Sequence, residues 1–113
     1  MTHPAEISAQ PVVRDRWGGW THPAFFLPAG GNDYPQPGEF EAWLDEHNLQ
    51  SATTWMENDV PEWMMDIFRK TGNCSQWQPS GPPGGGWFTG SIHDTDEGPV
   101  CVWLRRKAEA QDA

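Results

Sequence analysis

Cysteine, histidine and carboxylate side chains are all present in this chain, and the chemistry open to them depends on their spacing. His93 and Cys101 flank a turn-rich stretch and could face one another, with Cys74 as a third candidate ligand. A structural zinc site normally takes four ligands, often in close CxxC or HxxxH pairs. The chain has no such pair, and His22 or His47 would have to come from afar, so neither a metal nor a cofactor is expected. For nucleophilic catalysis there is no G-x-S-x-G elbow and no Cys/His signature. The run Gly81-Pro82-Pro83-Gly84-Gly85-Gly86 lacks the Lys-Ser/Thr of a P-loop and the spacing of a dinucleotide-binding turn. It also leads into an extended segment, whereas a phosphate cradle opens a helix. It reads as a flexible connection.

Two carboxylate pairs, Glu41 with Asp45 and Glu62 with Asp66, are spaced i, i+4. Glycoside hydrolases set two carboxylates across a groove, and eight tryptophans invite the comparison with an aromatic-walled cleft. Both pairs nevertheless fall on the polar side of helical patterns, where carboxylates are ordinarily solvated. No catalytic residue is assigned, and the chain reads as a non-enzyme.

What the acids do mark is a surface. From Trp17 to Phe68 there are nine Asp and Glu residues and no Lys or Arg, within a net charge of −9. Such a block repels nucleic acid and attracts basic surfaces. Like charges at i, i+4 cost a helix a few tenths of a kcal/mol each, which a purely structural sequence could avoid. The ordinary reading is a solvated, solubilising face. The functional reading is an anionic contact surface for a basic partner, or an imitation of a phosphate backbone. On that reading the partner-binding residues are Glu39, Glu41, Asp45, Glu46, Glu62 and Asp66, with Trp17 and Trp20 as aromatic anchors.

The elements that must position these residues follow from periodicity. Phe40, Trp43, Leu44 and His47 make one apolar stripe, predicting a helix from about Pro37 to His47 that stops at Asn48, with Leu49 folding back on Leu44. Ser51 to Met56 favours a short strand. A second helix is announced by Asp59-x-x-Glu62, resembling a capping box, and by Pro61 in the first turn. Its stripe is Val60, Trp63, Met64, Ile67 and Phe68, and Gly72 ends it. Trp87 to His93 and Val100 to Leu104 predict a β-hairpin turning through Asp94 to Gly98, with Gln76 to Gln78 as a short edge strand. Trp43, Trp55, Trp63, Trp87 and Trp103 are assigned to the core; Trp17, Trp20 and Trp77 lie in irregular segments.

The expected class is therefore α+β: a small antiparallel sheet, built from the C-terminal hairpin plus one or two short strands, with two α-helices on one face. At 113 residues one domain is expected over residues 17–107, with flexible tails at 1–16 and 108–113. Twelve glycines and eleven prolines make much of it loop. Met1 to Gln10 holds no apolar run and no stretch reaches the length of a membrane span, so neither a secretory leader nor a membrane contact is expected. Two cysteines are too few for a disulfide scaffold; buried free thiols in a cytoplasmic protein are expected, with one Cys74–Cys101 bridge as the alternative.

Residues 86–103, from Gly86-Trp87-Phe88-Thr89-Gly90 through His93-Asp94-Thr95-Asp96-Glu97-Gly98 to Val102-Trp103, resemble the ending of small accessory proteins of lambda-like phages and prophages of enteric bacteria. The resemblance is confined to the C-terminal third and carries over no functional residue. It implies a phage accessory protein made in the bacterial cytoplasm and binding a host protein. The alternative is a small self-assembling protein, as a virion component or a homodimer.

Overall fold

The computed structural model describes residues 7–27 and 36–107. In chain order these give β1 (Trp20–Thr21), α1 (Glu39–Glu46), β2 (Leu49–Trp55), α2 (Glu62–Thr71), β3 (Phe88–Thr95) and β4 (Gly98–Arg106). The strands form one antiparallel sheet in the order β1-β3-β4-β2. This is the small α+β class that the sequence predicts.

Each helix ends for a local reason. α1 follows Gly38 at φ 82° and stops where Asn48 takes φ 56°, the left-handed conformation that Asn tolerates better than most residues. Leu49 then joins Leu44 in the core, as its spacing predicts. α2 ends on Gly72 at φ 74°, whose N–H returns to the Phe68 carbonyl at 2.7 Å. The expected capping box does not form. The residue at the N-terminal boundary of α2 is Pro61, and no side chain caps it. Asp59 stands two residues too early, and its Oδ2 instead accepts the Trp77 indole N–H at 2.8 Å and the Ser80 N–H at 2.9 Å.

The hairpin is longer than its apolar core suggests. β3 and β4 pair from Phe88↔Leu104 to Thr95↔Gly98, and Gly98 at φ 108° completes the turn begun by Asp96 and Glu97. One residue of β3 is unmatched: the register passes from Thr89↔Trp103 to Ser91↔Val102, leaving Gly90 as a bulge. Successive strand residues point to opposite faces, so this extra residue puts Phe88 and Ile92 on opposite faces although both are even-numbered. The position requires glycine, since a Cβ there would lie 2.9 Å from Leu104 Cδ1 and 3.1 Å from Phe25 Cε1.

Alternation along β4 also divides the core in two. Cys101 packs with Met56, Met65, Cys74, Trp77 and Ile92, while Val102 and Leu104 pack with Ile7, Leu44 and Leu49. α2 therefore covers one face of the sheet and α1 the other, rather than both lying on the same face. The reason is β2: as an edge strand joining the two helices, it lets the chain cross from one face to the other.

Two further expectations are corrected. Gln76 to Gln78 forms no strand; Trp77 is fully buried in the α2-side core. At about 25 cal/mol per Å² over ~150–250 Å², that ring contributes on the order of 4–6 kcal/mol of gross burial. Residues 7–16, expected as part of a mobile tail, are held to the body. Ile7 is buried, and His22 Nε2 meets the Ser8 carbonyl at 2.6 Å while its Nδ1 accepts the Ala24 N–H. The half-buried Arg14 donates to the carbonyls of Gly18, Cys74 and Trp77, clasping the N-terminal segment onto the loop after α2. Residues 1–6, 28–35 and 108–113 lie outside the described residues.

Candidate protein-contact surface

α2 carries more apolar side chains than one buried stripe can use. Met65 is buried, and Val60, Met64 and Phe68 pack beside it against the core. At 100° per residue this places the buried arc to one side of the stripe read from the sequence. Trp63 and Ile67, one turn apart, are left facing out at 56% and 36% exposed. Among the described residues the other large exposed apolar side chains are Val12, Val13, Trp17 and Leu27. None of these lies on a helix or strand.

The acidic ridge beside Trp63 is internally paired. Arg69 donates to Glu62 Oε1 at 2.6 Å and to Asp66 Oδ1 at 3.0 Å. These contacts hold the guanidinium above its usual pKa range, the Glu62 hydrogen bond being the larger cause. Such exposed pairs add little to stability, but they offset the like-charge repulsion that made the Glu62–Asp66 spacing look anomalous. On α1, Asp45 is bound by Lys107 Nζ at 2.6 Å from the far end of the chain. Glu39 Oε2 accepts the Gln36 N–H at 2.9 Å, while Glu41 and Glu46 are exposed.

The eight site residues named from sequence are therefore not brought together. Glu39, Glu41, Asp45 and Glu46 ride on α1, Glu62 and Asp66 on α2, and the sheet separates the two groups. Trp17 is 50% exposed, with the Arg16 guanidinium 4.8 Å from its ring centroid. Its carbonyl accepts the Cys74 N–H at 2.9 Å, which sets its backbone just past the C-terminal end of α2. Trp20 is half-buried, edge-on to the buried His22 ring at 6.0 Å, and serves packing. The periodicity of α2 predicts both Trp63 and Ile67 in the core. The signal that marks them is the surplus: Met65 beside the five-residue stripe makes an apolar arc wider than a single sheet face can cover.

The metal and nucleophile constellations do not assemble. No group of three metal-ligating side chains occurs among the described residues. Cys101 pairs with Ile92 on the α2 side, whereas His93 pairs with Val100, whose side chain points to the other face. Cys74 and Cys101 are free, buried thiols. Burial pushes the Cys101 thiol up to about 12 and raises Cys74 as well, with Arg14 opposing the rise at both, so neither is a nucleophile at neutral pH. A recess of about 260 Å³ lies between Ser8, Ala9, Trp87, Phe88 and Arg106, and no carboxylate lines it among the described residues. No helix among the described residues is long and apolar enough to cross a membrane. Set against known proteins, the chain matches no family model, and no curated protein or solved structure is significantly similar to it.

Proposed function

We propose that this chain is a non-enzymatic binding protein that docks a partner protein on the outer side of α2, with Trp63 and Ile67 as anchors. The observation that carries the reading is the exposed indole of Trp63 one turn from Ile67, on a helix whose other side is already fixed in the core. Interface affinity concentrates in a few aromatic anchors ringed by polar groups. Glu62, Asp66, Arg69 and Lys70 supply such a ring. If about half of the indole surface, on the order of 100 Å², is still open, covering it contributes ~2–3 kcal/mol.

The acidic side formed by Glu39, Glu41, Asp45 and Glu46 on α1 is a separate surface. Its role in this reading is steering: exposed carboxylates raise the encounter rate with a basic partner more than they hold it. On the resemblance expected for residues 86–103, the proposed partner class is a bacterial host protein.

Capture from enteric bacterial lysate tests the reading with two variants. Trp63→Ser with Ile67→Ser should lose a stoichiometric partner that the wild-type chain retains. Neutralising Glu41 and Asp45 to amides should keep that partner at equilibrium while slowing its association. Equal recovery by the wild type and the Trp63/Ile67 variant would refute the α2 assignment.

A further inference from the structure

The Gly/Pro run after α2 is tied down over the sheet. Trp103 and Arg105 alternate with Val102 and Leu104 along β4, so both project on the α2 side, as does Thr54, which pairs with Cys101. Ser80 to Gly86 passes over these side chains on its way from β2 across β4 to the start of β3. Thr54 Oγ1 donates to the Ser80 carbonyl at 2.8 Å, and Arg105 Nη1 donates to the Gly85 carbonyl at 3.1 Å. Between them, Trp87 Nε1 donates to the Pro83 carbonyl at 3.1 Å. Gly81 sits at the edge of the Trp103 ring, where an added Cβ would lie 3.9 Å from Cη2. The Arg105 guanidinium is 4.4 Å from the Trp87 ring centroid, and Trp103 Nε1 donates to Thr54 Oγ1 at 3.0 Å. Both indoles stay only half-buried beneath this strap.

Side-chain donors aimed at backbone carbonyls, set beside two indoles, suit a proline-rich chain. Polyproline II has no internal hydrogen bonds, so its carbonyls are free to accept, and its pre-ordered rings dock on aromatic-lined grooves. From this we infer that Trp87 and Trp103, with Thr54 and Arg105 as carbonyl donors, form a shelf for a proline-rich extended segment of a partner protein, and that Ser80 to Gly86 occupies it in cis. The inference stands apart from the α2 surface and uses none of its residues. The strap itself argues for this occupant, since the shelf already holds Gly81-Pro82-Pro83-Gly84 by contacts of the kind such a segment makes. It is a poor occupant. Gly81, Gly84, Gly85 and Gly86 bring no side chain to the indole faces and lose more freedom on ordering than any other residue. A segment with proline throughout covers more ring at less entropic cost. The strap's advantage is its tether, which lets it compete at an effective concentration of the order of millimolar. The shelf is therefore self-occluded, and a proline-rich partner opens it by displacing the strap.

Decaproline, with a Gly-Ser decapeptide as control, reads the shelf through the indole N–H resonances of the full chain. Millimolar decaproline should shift the Trp87 and Trp103 signals and leave that of Trp63 in place. Pro82→Ser with Pro83→Ser removes the restriction that pre-orders the strap, and should tighten decaproline binding about fivefold or more. Pro83 is exposed and Pro82 half-buried, so circular dichroism should stay that of the wild type. In that background Trp87→Phe keeps a ring but drops the N–H, and should weaken binding about fivefold, followed on Trp103. Indole signals that stay still in both the wild type and the Pro82/Pro83 variant overturn the inference. So do equal shifts with the Gly-Ser peptide, an affinity that the strap substitutions leave unchanged, or shifts confined to Trp63.

Discussion

Asp59 is the side chain on which the loop after α2 closes. Burial alone would raise its carboxyl pKa, but the Trp77 indole and the Ser80 N–H outweigh that and leave it below the ordinary value of 3.8. A depressed native value means the contribution is present above the ordinary carboxylate pKa and lost as pH falls through the native one. Asp59→Ala should thus cost about 1–3 kcal/mol at neutral pH, because it strands a buried indole N–H. In urea melts the gap from wild type should shrink below about pH 4. A gap independent of pH would contradict this. The two thiols give a second residue-scale expectation: with DTNB at neutral pH the native chain should show no reactive cysteine, and the unfolded chain two. Trp77 and Trp63 also show what sequence could not say. The first sits in a Gly/Pro-rich stretch with no period, yet is the most buried of the eight tryptophans described. The second sits on the clearest periodic stripe, yet is half exposed. Burial of a loop ring depends on distant partners, here Asp59, Arg14 and Cys101, which no local window contains.

At the scale of elements, both helices, the hairpin and the strand over 51–56 were legible, because apolar spacing and Gly or Asn stops are local signals. The bulge at Gly90 was not. It shifts the face of every residue beyond it, and Leu104 and Phe25 close over it so tightly that an added Cβ would force a side chain to shift. Gly90→Ala should cost about 1–3 kcal/mol through overpacking and lower Tm by at least about 4 °C. An unchanged Tm would mean that the bulge relaxes freely. The Asp59-x-x-Glu62 pattern misled for a related reason. A capping box is defined by which residue begins the helix, and Pro61 took that place, freeing Asp59 for a tertiary bond. The placement of the helices was equally out of reach. Periodicity says that a helix has an apolar side, but only the register of β2 on β4 decides which face of the sheet it meets.

At the scale of the whole molecule, the 52-residue stretch without Lys or Arg is less isolated than it reads. Arg69, just past its end, folds back on Glu62 and Asp66, and Lys107 returns across the chain to Asp45. What stays unsatisfied is apolar: the outer side of α2. Glu39, Glu41, Asp45 and Glu46 lie on α1, on the opposite side of the sheet, where their proposed role is steering. Two regions thus carry different proposed roles: α1 attraction and α2 affinity. The central claim is the second, and calorimetric titration of a captured partner with wild type and Trp63→Ala tests it most directly. Trp63 is more than half exposed, so the variant should unfold within about 1 kcal/mol of wild type. Its Kd should nonetheless rise about 30-fold or more, the loss of at least ~2 kcal/mol expected of an anchor. A Kd within about threefold of wild type, less than ~1 kcal/mol, would contradict the account.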